Sequence, residues 1–108
     1  MKQGDVWLVD LPFSGGHEQG GMRPSVILTE TEPKTLILVP CTSNIAALRF
    51  SATVELPQSK DNGLLVNSIA LLFQLRSIGK DRCIRKIGEV EGWILMKIKH
   101  QVKQLLAI

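Results

Sequence analysis

The chain has 108 residues, 44% of them apolar and 21% charged, with a formal net charge of +3. That length and apolar share suit one domain, 1–108, around a single core, and no shift in composition marks a linker or a second unit. The amino-terminal MKQGDVWLVDL carries Lys2 and Asp5 but no long apolar stretch, and no run approaches a membrane span, so neither a signal peptide nor a membrane segment is expected, and a cytoplasmic protein is.

The predicted elements in chain order are Asp5 to Leu11, Ser25 to Thr29, Leu36 to Val39, Ala52 to Leu56 and Ser68 to Leu75, short runs rich in Val, Ile, Leu and Thr. Clusters of Gly, Pro, Asn and Ser divide them, the pattern of strands in a small all-β core. DVWLVDL and TLILVP hardly alternate, which predicts strands covered on both faces. Asn62-Gly63 gives a turn signal, and Pro12, Pro24, Pro33, Pro40 and Pro57 are expected at or just beyond strand edges, where a missing N–H is tolerable. From Trp93 the period changes: Ile94, Ile98, Val102 and Leu105 make an apolar stripe, with Lys97, Lys99, Lys103 and Gln104 off it, and Gly92 stands before it. This is an amphipathic helix. A strongly bent β-sheet or barrel with one terminal helix packed on it follows.

Charge is uneven along this layout. From Arg76 to Lys103, eight Lys/Arg stand against Asp81, Glu89 and Glu91. Such an excess suits phosphate neutralisation, and equally a solvated basic helix face.

Three stretches carry chemistry. FSGGHEQGGMRP, residues 13 to 24, holds four glycines with His17, Glu18 and Arg23. Glycines allow sharp turns and close backbone approach, exposed N–H groups in such turns bind anions, and the Arg23 fork suits phosphate oxygens. The plainer reading is a solvated hairpin in which Glu18 pairs with Arg23. In VPCTSN, Thr42 and Ser43 offer hydroxyls past Pro40, either to phosphate oxygens or to the following turn. In FQLRSI, Gln74 and Arg76 at period two are expected on the same face of a strand. Cys41 and Cys83 are far apart and outside any Cys/His spacing, and His17 and His100 lack partners at ligand spacing. A zinc site or disulfide framework is therefore not expected. Without a GxSxG elbow or a Walker-type loop, catalysis is expected to be metal-free and cofactor-free, by acid–base or electrostatic means.

In this order and at this length, GDVWLVDL, the loop GHEQGGMRPSVIL, the strand end VPCTS, the short VEL, the GLL segment, QLRSI and an IGEVEG lead-in to a terminal helix resemble the MazF/PemK family of toxin endoribonucleases. The resemblance covers nearly the whole chain. It implies a small SH3-like β-barrel of the plasmid-maintenance toxin fold, mainly β with a C-terminal helix. It further implies a homodimeric toxin of a type II toxin–antitoxin system that cuts single-stranded RNA at short motifs without metal. The cognate antitoxin would occupy the RNA groove and mediate any contact with DNA. Cleavage would proceed by attack of the 2′-hydroxyl on the adjacent phosphate, giving a 2′,3′-cyclic phosphate and a 5′-hydroxyl. On the residues that match, Arg23 and Thr42 would be catalytic, Arg23 against the phosphorane and Thr42 with Ser43 on phosphate oxygens. His17, Glu18, Gln19, Gln74 and Arg76 would support or bind RNA. One departure stands out: Phe73 occupies the place where many members carry an acid before the glutamine. An impaired member that binds RNA or an antitoxin peptide without cutting is the alternative.

Overall fold

Strands whose apolar runs barely alternate need cover on both sides, and they receive it. The structure, a computed structural model, describes residues 1–13 and 20–108. Seven strands are present among these residues: β1 (Asp5–Leu11), β2 (Gly21–Glu32), β3 (Thr35–Thr42), β4 (Thr53–Leu56), β5 (Ser68–Leu71), β6 (Arg76–Gly79) and β7 (Cys83–Glu89). Short 3₁₀ turns lie at Ile45–Arg49, Leu72–Gln74 and Lys80–Arg82, and helix α1 spans Gly92–Leu106. All pairings are antiparallel, in the order β4-β5-β3-β2-β1-β7, with β6 also pairing β3. The sheet curls into a half-barrel, so the mainly-β class with one terminal helix is as expected.

Alternate residues of the central strands feed two separate cores. Val6, Val26, Leu28, Val39 and Cys41 join Ile94 and Ile98 of α1 on one face. Val9, Leu11, Ile27, Leu36 and Leu38 meet Ile78 on the other. Of the helix stripe, Ile94 and Ile98 are fully buried, Val102 is half-buried and Leu105 is exposed, while the lysines lie outward. Among the described residues, no helix is long and apolar enough to cross a membrane.

Three expectations need correction. Pro24 and Pro40 do not lie outside strands, because β2 and β3 both run past them: Pro24 pairs with Leu8, and Ser25 with Pro40. Residues 68 to 75 are not one strand. β5 pairs with Cys41 and Thr42, whereas β6 pairs with Thr35 to Leu38, so the chain must turn at Leu72–Gln74 to pass from one half of β3 to the other. The IGEVEG segment does lead into the helix, but its first three residues, Ile87 to Glu89, are still strand: they end β7, which was not expected and which pairs with β1 along an edge of the sheet.

The Asn62-Gly63 signal marks a real turn, docked hard onto β7. Asn62 is fully buried; its Oδ1 accepts from the N–H groups of Ser59 and Leu64 at 3.1 and 3.0 Å, and its Nδ2 donates to Pro57 O at 2.7 Å. The Glu89 N–H donates to Asp61 O at 2.8 Å. Gly63 has φ +68°, and a Cβ there would overlap the Ile87 carbonyl oxygen; a Cβ on Gly88 would overlap the backbone of Asp61 and Asn62. Two glycines thus let two backbones touch. On the same side, Asp5 is buried, accepting the Lys2 N–H at 2.9 Å with Lys86 Nζ 3.3 Å away. Burial pushes its carboxyl up, but the Lys2 N–H and Lys86 outweigh this and hold it below the usual carboxylate range.

Gly63→Ala is expected to lower stability by on the order of 3 kcal/mol or more, since clash adds to left-handed strain. Gly21→Ala has the same sign of φ (+80°) but open space around it, so about 1 kcal/mol of strain alone is expected. Urea midpoints at unchanged m-values would check the order; equal losses would contradict the docking account.

Candidate functional site

The β2–β3 ladder runs from Glu32↔Thr35 to Ser25↔Pro40 and no further. Proline cannot donate a ladder hydrogen bond, and here one stands on each strand at that end. Beyond it β2 keeps pairing with β1, down to Leu11↔Gly21, and β3 keeps pairing with β5, through Thr42↔Ile69. The two strand ends separate, and a cavity of about 350 Å³ opens beside them.

Arg23 and Pro24 from β2, Cys41 and Thr42 from β3, and Ser43 line it. Pro24 heads a cross-strand row, Arg85↔Leu8↔Pro24, that adds two further lining residues from two more strands. Leu64, Leu65 and Val66, which follow the docked turn, supply another wall. Arg23 is half-buried, and its Nε donates to Gly20 O at 3.2 Å, which fixes the guanidinium plane. Thr42 is buried, and its Oγ1 accepts the Asn44 N–H at 3.1 Å, while Asn44 Oδ1 caps the next turn through Ala46 N at 3.0 Å. So both readings of Thr42 hold at once: it organises the turn and lines the cavity. Two guanidiniums and three hydroxyls, those of Thr42, Ser43 and Ser68, with no carboxylate among the described lining residues, make an anion-binding wall.

A second pocket of about 480 Å³ adjoins through Thr42, lined by Asn44, Arg49, Phe50, Phe73 and Gln74 among others. Gln74 therefore reaches the neighbourhood of Thr42, from a 3₁₀ turn rather than a strand. Arg76 lies elsewhere: it opens β6 opposite Leu38, and its Nη1 donates to Pro12 O at 3.4 Å. Gln74 and Arg76 are not on one strand as expected, because Gln74 ends the 3₁₀ turn and β6 starts only at Arg76. His17, Glu18 and Gln19 fall outside the described residues.

Sequence reasoning missed Arg85. The signal was present, since Arg85 and Ile87 at period two share one face of β7 and both line the cavity. Much of the surrounding basic excess is committed elsewhere: Lys80 pairs with Glu30 at 2.8 Å and Lys86 with Asp5.

Both cysteines are free. Burial pushes the Cys41 thiol up to about 12, and burial with the nearby Asp81 raises that of half-buried Cys83. At pH 8 iodoacetamide should therefore modify Cys83 before Cys41, with Cys41 reacting only on unfolding. Mass spectrometry of time points would check this; early labelling of Cys41 would mean that the cavity wall opens readily.

With this geometry in place, the likenesses to known proteins are informative. The family described as PemK-like, MazF-like toxin of type II toxin–antitoxin system matches residues 2–106. The endoribonuclease MazF of Staphylococcus saprophyticus is 38% identical over 106 residues, covering 94% of this chain and 88% of that protein. The crystal structure of MazF from Deinococcus radiodurans superposes with a TM-score of 0.84 at 22% identity, covering 100% of this chain and 97% of that one. An endoribonuclease from a mycobacterial species, in complex with its cognate antitoxin, gives 0.72 at 18% identity over 98% and 92% of the two chains. The structural likenesses speak for the fold.

Proposed function

The chain belongs to the PemK-like, MazF-like toxins of type II toxin–antitoxin systems, and from that premise we propose that it is a metal-independent, sequence-specific endoribonuclease acting on single-stranded RNA, neutralised by a cognate antitoxin. The observation that carries this reading is the placing of Arg23, Thr42 and Ser43 on one cavity with Arg85.

The chemistry asks little more. A 2′-hydroxyl gives its proton to solvent water as its oxygen attacks the neighbouring phosphorus, a pentavalent phosphorane gathers negative charge, and the P–O5′ bond breaks as the 5′-oxygen takes up a proton from water, with a 2′,3′-cyclic phosphate left behind. Charge that develops in the transition state is stabilised by donors already in place. Arg23, held through Nε, presents its terminal nitrogens to the equatorial oxygens and the leaving oxygen. Ser43 and the Thr42 hydroxyl donate to the remaining oxygens, and Arg85 adds positive charge from the far side of the cavity. Buried Leu64 keeps water from one wall and so strengthens these contacts.

Cutting of a long RNA should survive EDTA, and Arg23→Ala and Thr42→Ala should each lose about 10²-fold or more in single-turnover rate with the fold intact by circular dichroism. A strict Mg²⁺ requirement, or full activity in Arg23→Ala, would sink the mechanism. Phe73, standing where many members carry an acid, favours the second reading, a binder that does not cut. RNA retention without cleavage by the parent protein would establish that reading instead.

The assembly we propose is a two-fold homodimer with RNA lying across it. Ile45, Leu48, Trp93 and Met96 are exposed, more apolar side chains around the start of α1 than an isolated chain needs. A stable monomer by light scattering at micromolar concentration would count against it.

A further inference from the structure

Toward its carboxy-terminal end α1 leaves the sheet incompletely covered. Along the apolar stripe, burial falls from the fully covered Ile94 and Ile98 to half-buried Val102, and there a slot of about 300 Å³ opens between the helix and the strands. Leu28, Ile37, Leu75, Val102 and Leu106 form its apolar walls. Ile37, Leu75 and Val102 pack on the helix-side core yet stay half-buried, and Leu106 is 48% exposed. The polar side chains at the rim are of two kinds. Gln3 turns its Nε2 to Leu28 O at 3.0 Å, and the Thr29 hydroxyl donates to Glu30 O at 3.1 Å, so these two are already engaged with the backbone. Lys99 and Lys103 stand one turn apart on the same side of α1; both are exposed, and among the described residues neither is ion-paired. No carboxylate is among the described lining residues. The slot is thus an apolar floor with two unmatched ammonium groups at its lip.

We infer that this slot binds a free medium-chain acyl carboxylate, with one alkyl tail against the apolar walls and the carboxylate between Lys99 and Lys103. The inference is independent of the ribonuclease reading, because the slot shares no described lining residue with either cavity beside Thr42. Polarity and charge select the occupant. A nucleotide or a sugar would press donors and acceptors against Leu28, Ile37 and Leu75, and an extended peptide would do the same with its backbone, where each unpaired polar group is costly. A cationic amphiphile would meet two like charges, and a neutral one would leave them unused. The helix end does not oppose an anion, since the carbonyls that carry the negative end of its dipole are engaged: the Ala107 N–H returns to the carbonyls of Lys103 and Gln104, and the Ile108 N–H to Lys103 O at 3.1 Å. The volume of about 300 Å³ lies at the small end of the range for ligand sites. It suits one tail of moderate length rather than the paired tails of a membrane lipid. Once bound, that tail ties the end of α1 to β2 and β3.

The test titrates the full chain with octanoate, well below the concentration at which it forms micelles, and follows the backbone amide resonances of Thr29, Ile37 and Val102 by NMR. One octanoate per chain should bind and move these three. Hexanoate, two methylenes shorter, should bind about 10-fold more weakly, and octanol and octyltrimethylammonium more weakly than octanoate. The double variant Lys99→Gln/Lys103→Gln changes only exposed side chains; it should lose roughly 5-fold in octanoate affinity and nothing in octanol affinity. Val102→Trp fills the slot and should abolish binding, and if that variant does not fold, the lysine pair decides alone. Octanol binding the parent as tightly as octanoate, or octanoate binding that survives unchanged without the two lysines, would overturn the site. Failure of octanoate to bind would overturn it too, and sedimentation of the protein with phosphatidylserine vesicles in that case would give the patch to a membrane surface instead.

Discussion

Two prolines that cannot donate to a ladder decide where β2 and β3 part company. Up to Ser25↔Pro40 the strands are joined; beyond it each holds a different neighbour. Had either strand ended there, the gap would be a frayed edge. Because β1 continues to grip β2 down to Gly21 and β5 continues to grip β3 to Thr42, both ends stay ordered while standing apart. A binding cavity needs that combination, rigid walls with space between them, and the chain obtains it by withholding hydrogen-bond donors rather than by adding a loop.

The remaining wall depends on the approach of two backbones. Gly63 and Gly88 remove the side chains that would keep the 60–63 turn off β7, and Asn62 satisfies the polar groups that the contact buries. Leu64 is thereby fixed in the core, with Leu65 and Val66 at the cavity. Electrostatics follow from the same packing. Lys80 and Lys86 are matched by carboxylates on other strands, whereas Arg23, Arg49 and Arg85 line the two adjoining cavities. A modest net charge thus conceals a local field suited to drawing in a phosphodiester chain.

Where the sequence spoke clearly, a single physical cause dominated. Asp5 to Leu11 was legible to the residue, because a nearly continuous apolar run bounded by Gly4 and Pro12 admits little else. The helix was legible from its stripe. β7 was not: as an edge strand it carries exposed Ile84, Arg85 and Lys86, and charge on an edge hides the apolar signal. The break at Leu72–Gln74 was invisible, because which half of β3 a residue pairs with is a tertiary fact. Arg23, Thr42 and Ser43 could be picked out in the sequence as candidates, but their convergence could not, since it depends on where a ladder stops. Arg49, Phe50 and Phe73 meet through Ala47, Ile69 and Leu71, contacts that no local pattern announces.

Seen mechanically, the sheet has two wings. Arg23 belongs to the wing of β7, β1 and β2; Thr42 belongs to that of β3, β5 and β4, and the joined part of β2 and β3 is the spine between them. The separation of the two residues is then a property of the curl of the whole sheet. Helix α1 meets β4 and the turn at Leu72–Gln74 on the Thr42 wing, and its Ile94 and Ile98 share a core with Val6, Val26 and Leu28 of the other. A shift of the helix therefore changes the wedge without touching either residue. The cavity thus has a lever at some distance from the two residues that frame it.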